Sequence, residues 1–324
     1  MSRRRSLQGR IDDYLAERRR QGFHLRSRDA FLAGFARFVE AKGHRGPLTP
    51  ELMVEWVRAG KDGHGDAGTW ARSWGRLRHF ICYLQQFEPD TEVPEASLFG
   101  PEPGRVAPHI YRDDEIDDLL AAARRLGPVG SLRPFTYETL FGLMAATGLR
   151  VSEAIHLRDA DVDLKHGMLT IRQTKFAKSR QLPIHPSTVK ALVRYRKRRE
   201  GHLPTTDGMP FLIGSRGRRL GLPLGERQVH RVFISLRDSL GWINRGGHEA
   251  PRLHDLRHTF AVRRLLGWYA DGADVDQKML ALSTYMGHAE IFYTYWYLTG
   301  VPELMAIAAG RFEQFAGFVG DDDA

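Results

Sequence analysis

Four short stretches of this 324-residue chain combine residue types that can act on an anion. "ATGLRVSEAIHLR" holds Arg150 and Glu153, three apart, a spacing that usually makes a surface ion pair on a helix. "PRLHDLRHTFA" holds His254, Asp255, Arg257 and His258. His254 and His258, at i and i+4, could bind zinc on one helix face, but Asp255 stands where the zinc-protease pattern wants glutamate, and no third ligand follows closely. In the other reading His254 and Arg257 share a face suited to phosphate, a forked cation beside a group that gives or takes a proton. Asp255 and His258 then turn toward the scaffold. "MGHAEIFYTYWY" sets His288 ahead of Tyr293, Tyr295 and Tyr297, which are either aromatic core or include a phenol nucleophile. Lys175 and Lys178 lie in "TKFAKSRQ", where a lysine is ordinarily a solvated charge. A phosphate-cradling loop, a nucleotide fingerprint and a GxSxG elbow are all missing, and "GSRGRRLG" does not fit P-loop spacing.

The elements that must position these groups follow from periodicity and breakers. Residues 1–90 read as helices. Phe31, Phe35, Phe38 and Val39 form one stripe, ended by Gly43. Thr49 caps the next helix, with Pro50 at its first position and Gly60 as its stop. Trp70, Trp74, Leu77, Ile81 and Leu84 line one face of a third, whose other face carries Arg72, Arg76 and Arg78. Residues 91–110 are proline-rich and read as a linker, since proline removes backbone donors and disfavours helix before it. Residues 111–324 form the second domain. It begins with an acid-led helix and a more apolar one. The period then shortens: Leu169 alternates with Ile171, and Leu182 with Ile184, as in a β-hairpin, with Asp163–Leu164 as a candidate third strand. Helical patterns resume from Ser187. Leu304, Ile307, Ala308, Phe312, Phe315 and Val319 predict a C-terminal helix before an acidic tail.

The net charge of +9 suits a polyanionic partner such as nucleic acid. Residues 1–100 contribute +4 and the remainder +5, so the excess is spread over both halves. The chain has no apolar run long enough to cross a membrane, and its basic N-terminal stretch lacks the apolar core of a secretory signal. A single cysteine, Cys82, rules out an internal disulfide and a cysteine-built zinc site. A cytoplasmic setting is the expectation, nucleoid-associated when bound to DNA.

Taken in order, Arg150, the hairpin lysine, His254-x-x-Arg257, Gly287–His288 and Tyr297 resemble the tyrosine recombinases, the phage-integrase-type site-specific recombinases. In that family the tyrosine usually lies nine residues beyond the motif histidine, as Tyr297 does from His288. The resemblance covers about residues 110 to 300 and implies a mostly α fold with a small antiparallel β-sheet. An N-terminal helical core-binding domain would precede an α+β catalytic domain. It further implies a recombinase of integrase or transposase type that cleaves and rejoins DNA through a 3′-phosphotyrosyl intermediate, without metal, ATP or other cofactor. The catalytic set is then Arg150, Lys175, His254, Arg257, His288 and Tyr297, with Glu153 and Asp255 as orienting groups. Arg72, Arg76, Arg78 and Lys178 are the basic side chains expected on DNA phosphates. Double-stranded DNA is the partner, bound by a homotetramer in which the C-terminal helix docks on a neighbouring protomer, with accessory or co-recombinase proteins. The rival reading is a sequence-specific DNA-binding protein of the same fold without strand transfer.

Overall fold

Polar caps begin the first helices and apolar stripes assemble them. In a computed structural model, residues 5–23, 26–60, 65–102, 104–172, 179–206, 208–215, 219–299 and 306 are described. Two compact units divide the chain, Met1–Arg105 and Val106–Ala324. The first contains helices α1 (Leu7–Arg20), α2 (Arg26–Ala41), α3 (Pro50–Ala59) and α4 (Ala67–Gln85). Ser6, Thr49 and Asp66 cap α1, α3 and α4 by accepting from backbone N–H groups three residues on, which satisfies donors left free at each helix start. Phe35, Met53, Trp74, Leu77, Phe80 and Ile81 are fully buried together. Of the expected stripes, Phe31, Phe38 and Trp70 are only partly buried. Phe31 and Phe38 pack around Trp56 instead.

The proline-rich segment is no bare tether. Glu95 and Pro94 accept hydrogen bonds from Trp74 Nε1 (2.9 Å) and Arg78 Nε (3.2 Å), and Phe99 lies against Trp70 and Trp74. Its far end belongs to the second unit, where Ala107 accepts from Gly247 N and His109 is buried against Glu115.

The second unit opens with α5 (Asp113–Arg124), α6 (Arg133–Thr147) and the single-turn α7 (Val151–Ile155). Strands β1 (Val162–Asp163), β2 (Met168–Ile171) and β3 (Arg180–Pro183) follow as one antiparallel sheet in that order. Leu169 faces Val162 on one side and Leu182 on the other, so one sheet face is apolar and buried. The strand anticipated at Asp163–Leu164 starts one residue earlier. Helices α8 (Pro186–Glu200), α9 (Glu226–Leu240), α10 (Asp255–Ala270), α11 (Val275–Met286) and α12 (Phe292–Thr299) complete the described residues. Two apolar clusters result. One joins α5 to α9 and the sheet through Leu140, Phe141, Leu169, Phe211 and Phe233, and the other joins α10, α11 and α12 through Phe260, Leu265, Met279 and Met286. No helix among the described residues is long and apolar enough to cross a membrane. The predicted C-terminal helix and acidic tail lie outside the described residues, apart from Ala306.

Candidate active site

The site is framed by two glycine-ended helices. Helix α6 stops at Gly148, left-handed at φ 63°, and a Cβ there would lie 2.5 Å from Phe260 Cδ1. The chain turns at once into α7, placing Arg150 at its N-cap. Glu153 Oε2 accepts from the Arg150 backbone N–H at 3.0 Å, while Oε1 accepts from Arg150 Nη1 at 2.9 Å. Helix α11 stops at Gly287, also left-handed at φ 66°, immediately before His288.

Three arginines from separate elements converge on the last carbonyls of α11, which lack intrahelical partners and carry the negative end of the helix dipole. Arg150 donates to Met286 O (3.5 Å) and Gly287 O (3.2 Å). Arg257, on α10 and almost wholly buried, donates to Met286 O (2.6 Å) and Gly148 O (2.7 Å). Arg180, on β3, donates to Tyr285 O (2.8 Å) through Nε and spans both oxygens of Glu153 at 3.1 and 3.0 Å. One carboxylate therefore serves two of three guanidiniums, and the cluster retains positive charge. Burial, then Arg150, lowers the Arg257 guanidinium to about 10, which leaves it protonated at neutral pH. For Glu153, burial pushes the carboxyl up, but hydrogen bonds and charge from Arg180 and Arg150 outweigh it and hold the group below its ordinary range.

Against this cluster lies an aromatic layer. His254 is exposed at the start of α10, and its ring meets His258 edge-on at 4.9 Å. Although the residue keeps exposed surface, desolvation by the protein packed around its ring, followed by Arg257 and Arg252, lowers His254 to about 4, so at pH 7 it is neutral and can accept a proton. His258 does not turn to a remote scaffold: its ring contacts Trp296 (5.7 Å) and Tyr297 (5.5 Å), and its buried Nδ1 has no hydrogen-bond partner among the described residues. Tyr297 is buried, and the His288 ring lies nearly parallel to it at 6.3 Å. Tyr293 is far more exposed and meets the His288 ring edge-on at 6.4 Å. Thr294, fully buried, hydrogen-bonds His288 Nδ1 through its hydroxyl at 2.7 Å. If the hydroxyl donates, the ring proton resides on Nε2, a donor that suits an anion.

Arg150, Glu153, His254, Arg257, His288 and Tyr297 are thus brought together in one unit. Asp255 is buried but turns to Arg252, taking its backbone N–H and Nη2, both at 2.8 Å. Lys175 and Lys178 fall outside the described residues. Arg72 and Arg76 are exposed on α4 in the other unit, whereas Arg78 is half-buried and holds Pro94. Among the described residues no three His, Cys, Asp or Glu side chains gather as a metal site. Sequence reasoning missed Arg180 and Thr294. Arg180 could have been found from alternation, since it shares a strand face with Leu182, and a cation pointing inward requires a partner.

Residues 110–301 match the phage integrase family model. A Sinorhizobium fredii protein, y4rB, named as an integrase/recombinase, is 39% identical over 308 residues, spanning 94% of this chain and 96% of that one. The tyrosine recombinase XerC of Rhodospirillum centenum is 31% identical over 288 residues, with 84% and 76% covered. Two solved structures share the fold. The XerH recombinase bound to a palindromic difH substrate, in a post-cleavage complex, has TM-score 0.63 at 17% identity, covering 89% of this chain and 80% of that one. The Tn1549 transposon integrase in complex with transposon right end DNA has TM-score 0.64 at 18% identity, covering 94% and 98%. Fold and sequence together define the class as tyrosine recombinase. The chain belongs to the phage integrase family.

Proposed function

We propose that this protein is a site-specific recombinase that cuts and rejoins DNA through a 3′-phosphotyrosyl link. The observation that carries the reading is the meeting of Arg150 and Arg257 on Met286 O beside His288 and the buried Tyr297. A phosphodiester held there has its non-bridging oxygens met by two guanidiniums and by His288, where charge grows during attack. The Tyr297 oxygen bonds to phosphorus and the bond to the 5′-oxygen breaks. His254, neutral at pH 7, takes the phenol proton, and Lys175 gives one to the departing 5′-oxygen. Glu153 keeps Arg150 aimed. Because the phosphoester bond is conserved in the link, a 5′-hydroxyl from another strand can reseal it without ATP.

DNA is the polyanion that the charge of +9 favours, and DNA appears in the XerH and Tn1549 integrase complexes. We assign residues 1–90 to a DNA-clamp domain using Arg72 and Arg76, residues 91–110 to the linker and 111–324 to the catalytic domain. Four protomers acting on two sites, linked by C-terminal helices docked in trans and aided by accessory proteins, complete the proposal. Affinity then falls steeply with salt, as phosphate contacts release counterions.

The test is trapping on a nicked duplex, where the strand released by cleavage diffuses away. Wild type and Tyr293→Phe form a covalent protein–DNA adduct, and Tyr297→Phe does not. An adduct that persists in Tyr297→Phe refutes the nucleophile. DNA binding without any adduct favours the rival, a binding protein of this fold.

A further inference from the structure

We propose that Arg180 is a positioning residue for the reaction: by holding Glu153 and the end of α11 together, it aims the Arg150 clamp and the approach of His288. The inference rests on the recombinase reading of the site. Arg180 lies on β3 beside Leu182's face of the sheet, and its side chain is 11% exposed. Its Nε, Nη1 and Nη2 donors are all engaged inward, on Tyr285 O, Glu153 Oε1 and Glu153 Oε2. It is therefore turned away from a substrate and acts through what it holds.

Two links leave it. Through Glu153 it reaches the backbone and side chain of Arg150. Through Tyr285 O it fixes the last turn of α11, whose next carbonyls, Met286 O and Gly287 O, receive Arg150 and Arg257 and whose next residue is His288. The packing leaves no slack, since a Cβ on Gly287 would stand 2.6 Å from Arg180 Nη1. A lysine offers one compact charge and cannot span both carboxylate oxygens and the carbonyl, so charge alone does not replace the fork.

The test compares single-turnover cleavage of a nicked duplex carrying either the natural scissile diester or a methylphosphonate, where a methyl group replaces one non-bridging oxygen and removes the charge. Each variant is read relative to wild type on the same substrate. Arg180→Ala and Arg180→Lys cut diester cleavage by about 10- to 100-fold, the scale of a misplaced catalytic group, with DNA affinity within about twofold of wild type. On methylphosphonate, where there is less charge to clamp, most of the deficit disappears, as it does for Arg150→Ala. If Arg150→Ala recovers on methylphosphonate while both Arg180 variants lose equally on the two substrates, Arg180 is scaffold only and the inference is overturned. If Arg150→Ala itself does not recover, the clamp reading fails and takes the inference with it. Should Arg180→Ala not fold, Arg180→Lys decides on the same criterion.

Discussion

Replacing Glu153 with glutamine tests whether the arginine cluster depends on its one shared carboxylate. Glu153 is 8% exposed and accepts from Arg150 N, Arg150 Nη1, Arg180 Nη1 and Arg180 Nη2 at 3.0, 2.9, 3.1 and 3.0 Å. In Glu153→Gln one acceptor becomes an NH2 that faces guanidinium N–H groups, and both cations lose their counter-charge. Breaking a buried ion pair from one side costs about 3–5 kcal/mol. Water reaches Arg150, whose side chain is 34% exposed, so the lower figure of about 3 kcal/mol applies. For a unit of this size that lowers Tm by roughly 6–12 °C, and a displaced Arg150 lowers single-turnover cleavage by about 100-fold. The sign with pH follows from the depressed carboxyl. Its stabilisation is present above the ordinary value of 4.5 and is lost as pH falls through the lower folded value, so the Tm gap between wild type and variant is widest above pH 4.5 and closes in acid. Thermal melts at several pH values and cleavage of the nicked duplex measure both effects. A variant with wild-type Tm and wild-type cleavage would refute the reasoning, as would a Tm gap that does not change with pH.

Three further perturbations probe the surroundings. Gly287→Ala combines a φ of 66° with a Cβ only 2.6 Å from Arg180 Nη1, so it loses about 1–3 kcal/mol in a denaturant melt and cleaves more slowly; wild-type behaviour in both argues against the tight end of α11. Thr294→Val removes the hydroxyl from His288 Nδ1, and the expected result is a 5- to 50-fold slower cleavage, roughly one to two kcal/mol, with unchanged DNA affinity, read by single-turnover kinetics and a binding titration. The neutral His258 is destabilising to protonate: burial, then His254, lowers it to about 2, so its contribution is complete above the ordinary 6.5 and falls away as pH drops below it. His258→Phe keeps the aromatic contact and therefore flattens the loss of stability between pH 6.5 and pH 4.5 in melts; an unchanged slope places the titration elsewhere.

The helix ends at Thr49, Pro50 and Gly60 were legible because capping chemistry is local, carried by residues within one turn. So was the β-hairpin, whose alternating Leu169, Ile171 and Leu182 are all buried. The fold-back of residues 94–99 on α4 was not, since its hydrogen bonds go from Trp74 and Arg78 to backbone carbonyls, which carry no side-chain signature. Within the site, Arg150, His254, Arg257, His288 and Tyr297 were legible through their spacing and order. Arg180 was hidden because its partners, Glu153 and Tyr285, are distant in sequence and one of them is a main-chain oxygen. Thr294 was hidden among louder aromatics, though its hydroxyl is hydrogen-bonded to His288 Nδ1. Asp255 read as an acid that orients the catalytic set, but its carboxylate is taken up by Arg252, outside that set.

The central claim is that Tyr297 becomes covalently joined to DNA. The most direct measurement is to trap the adduct on a nicked duplex, digest the DNA with nuclease and the protein with protease, and sequence the modified peptide by mass spectrometry. The account predicts one peptide spanning "HAEIFYTYWYLTG", with a 3′-phosphonucleotide on Tyr297 and none on Tyr293 or Tyr295. A nucleotide on either of those tyrosines, on another residue, or on none while cleavage still proceeds would contradict it.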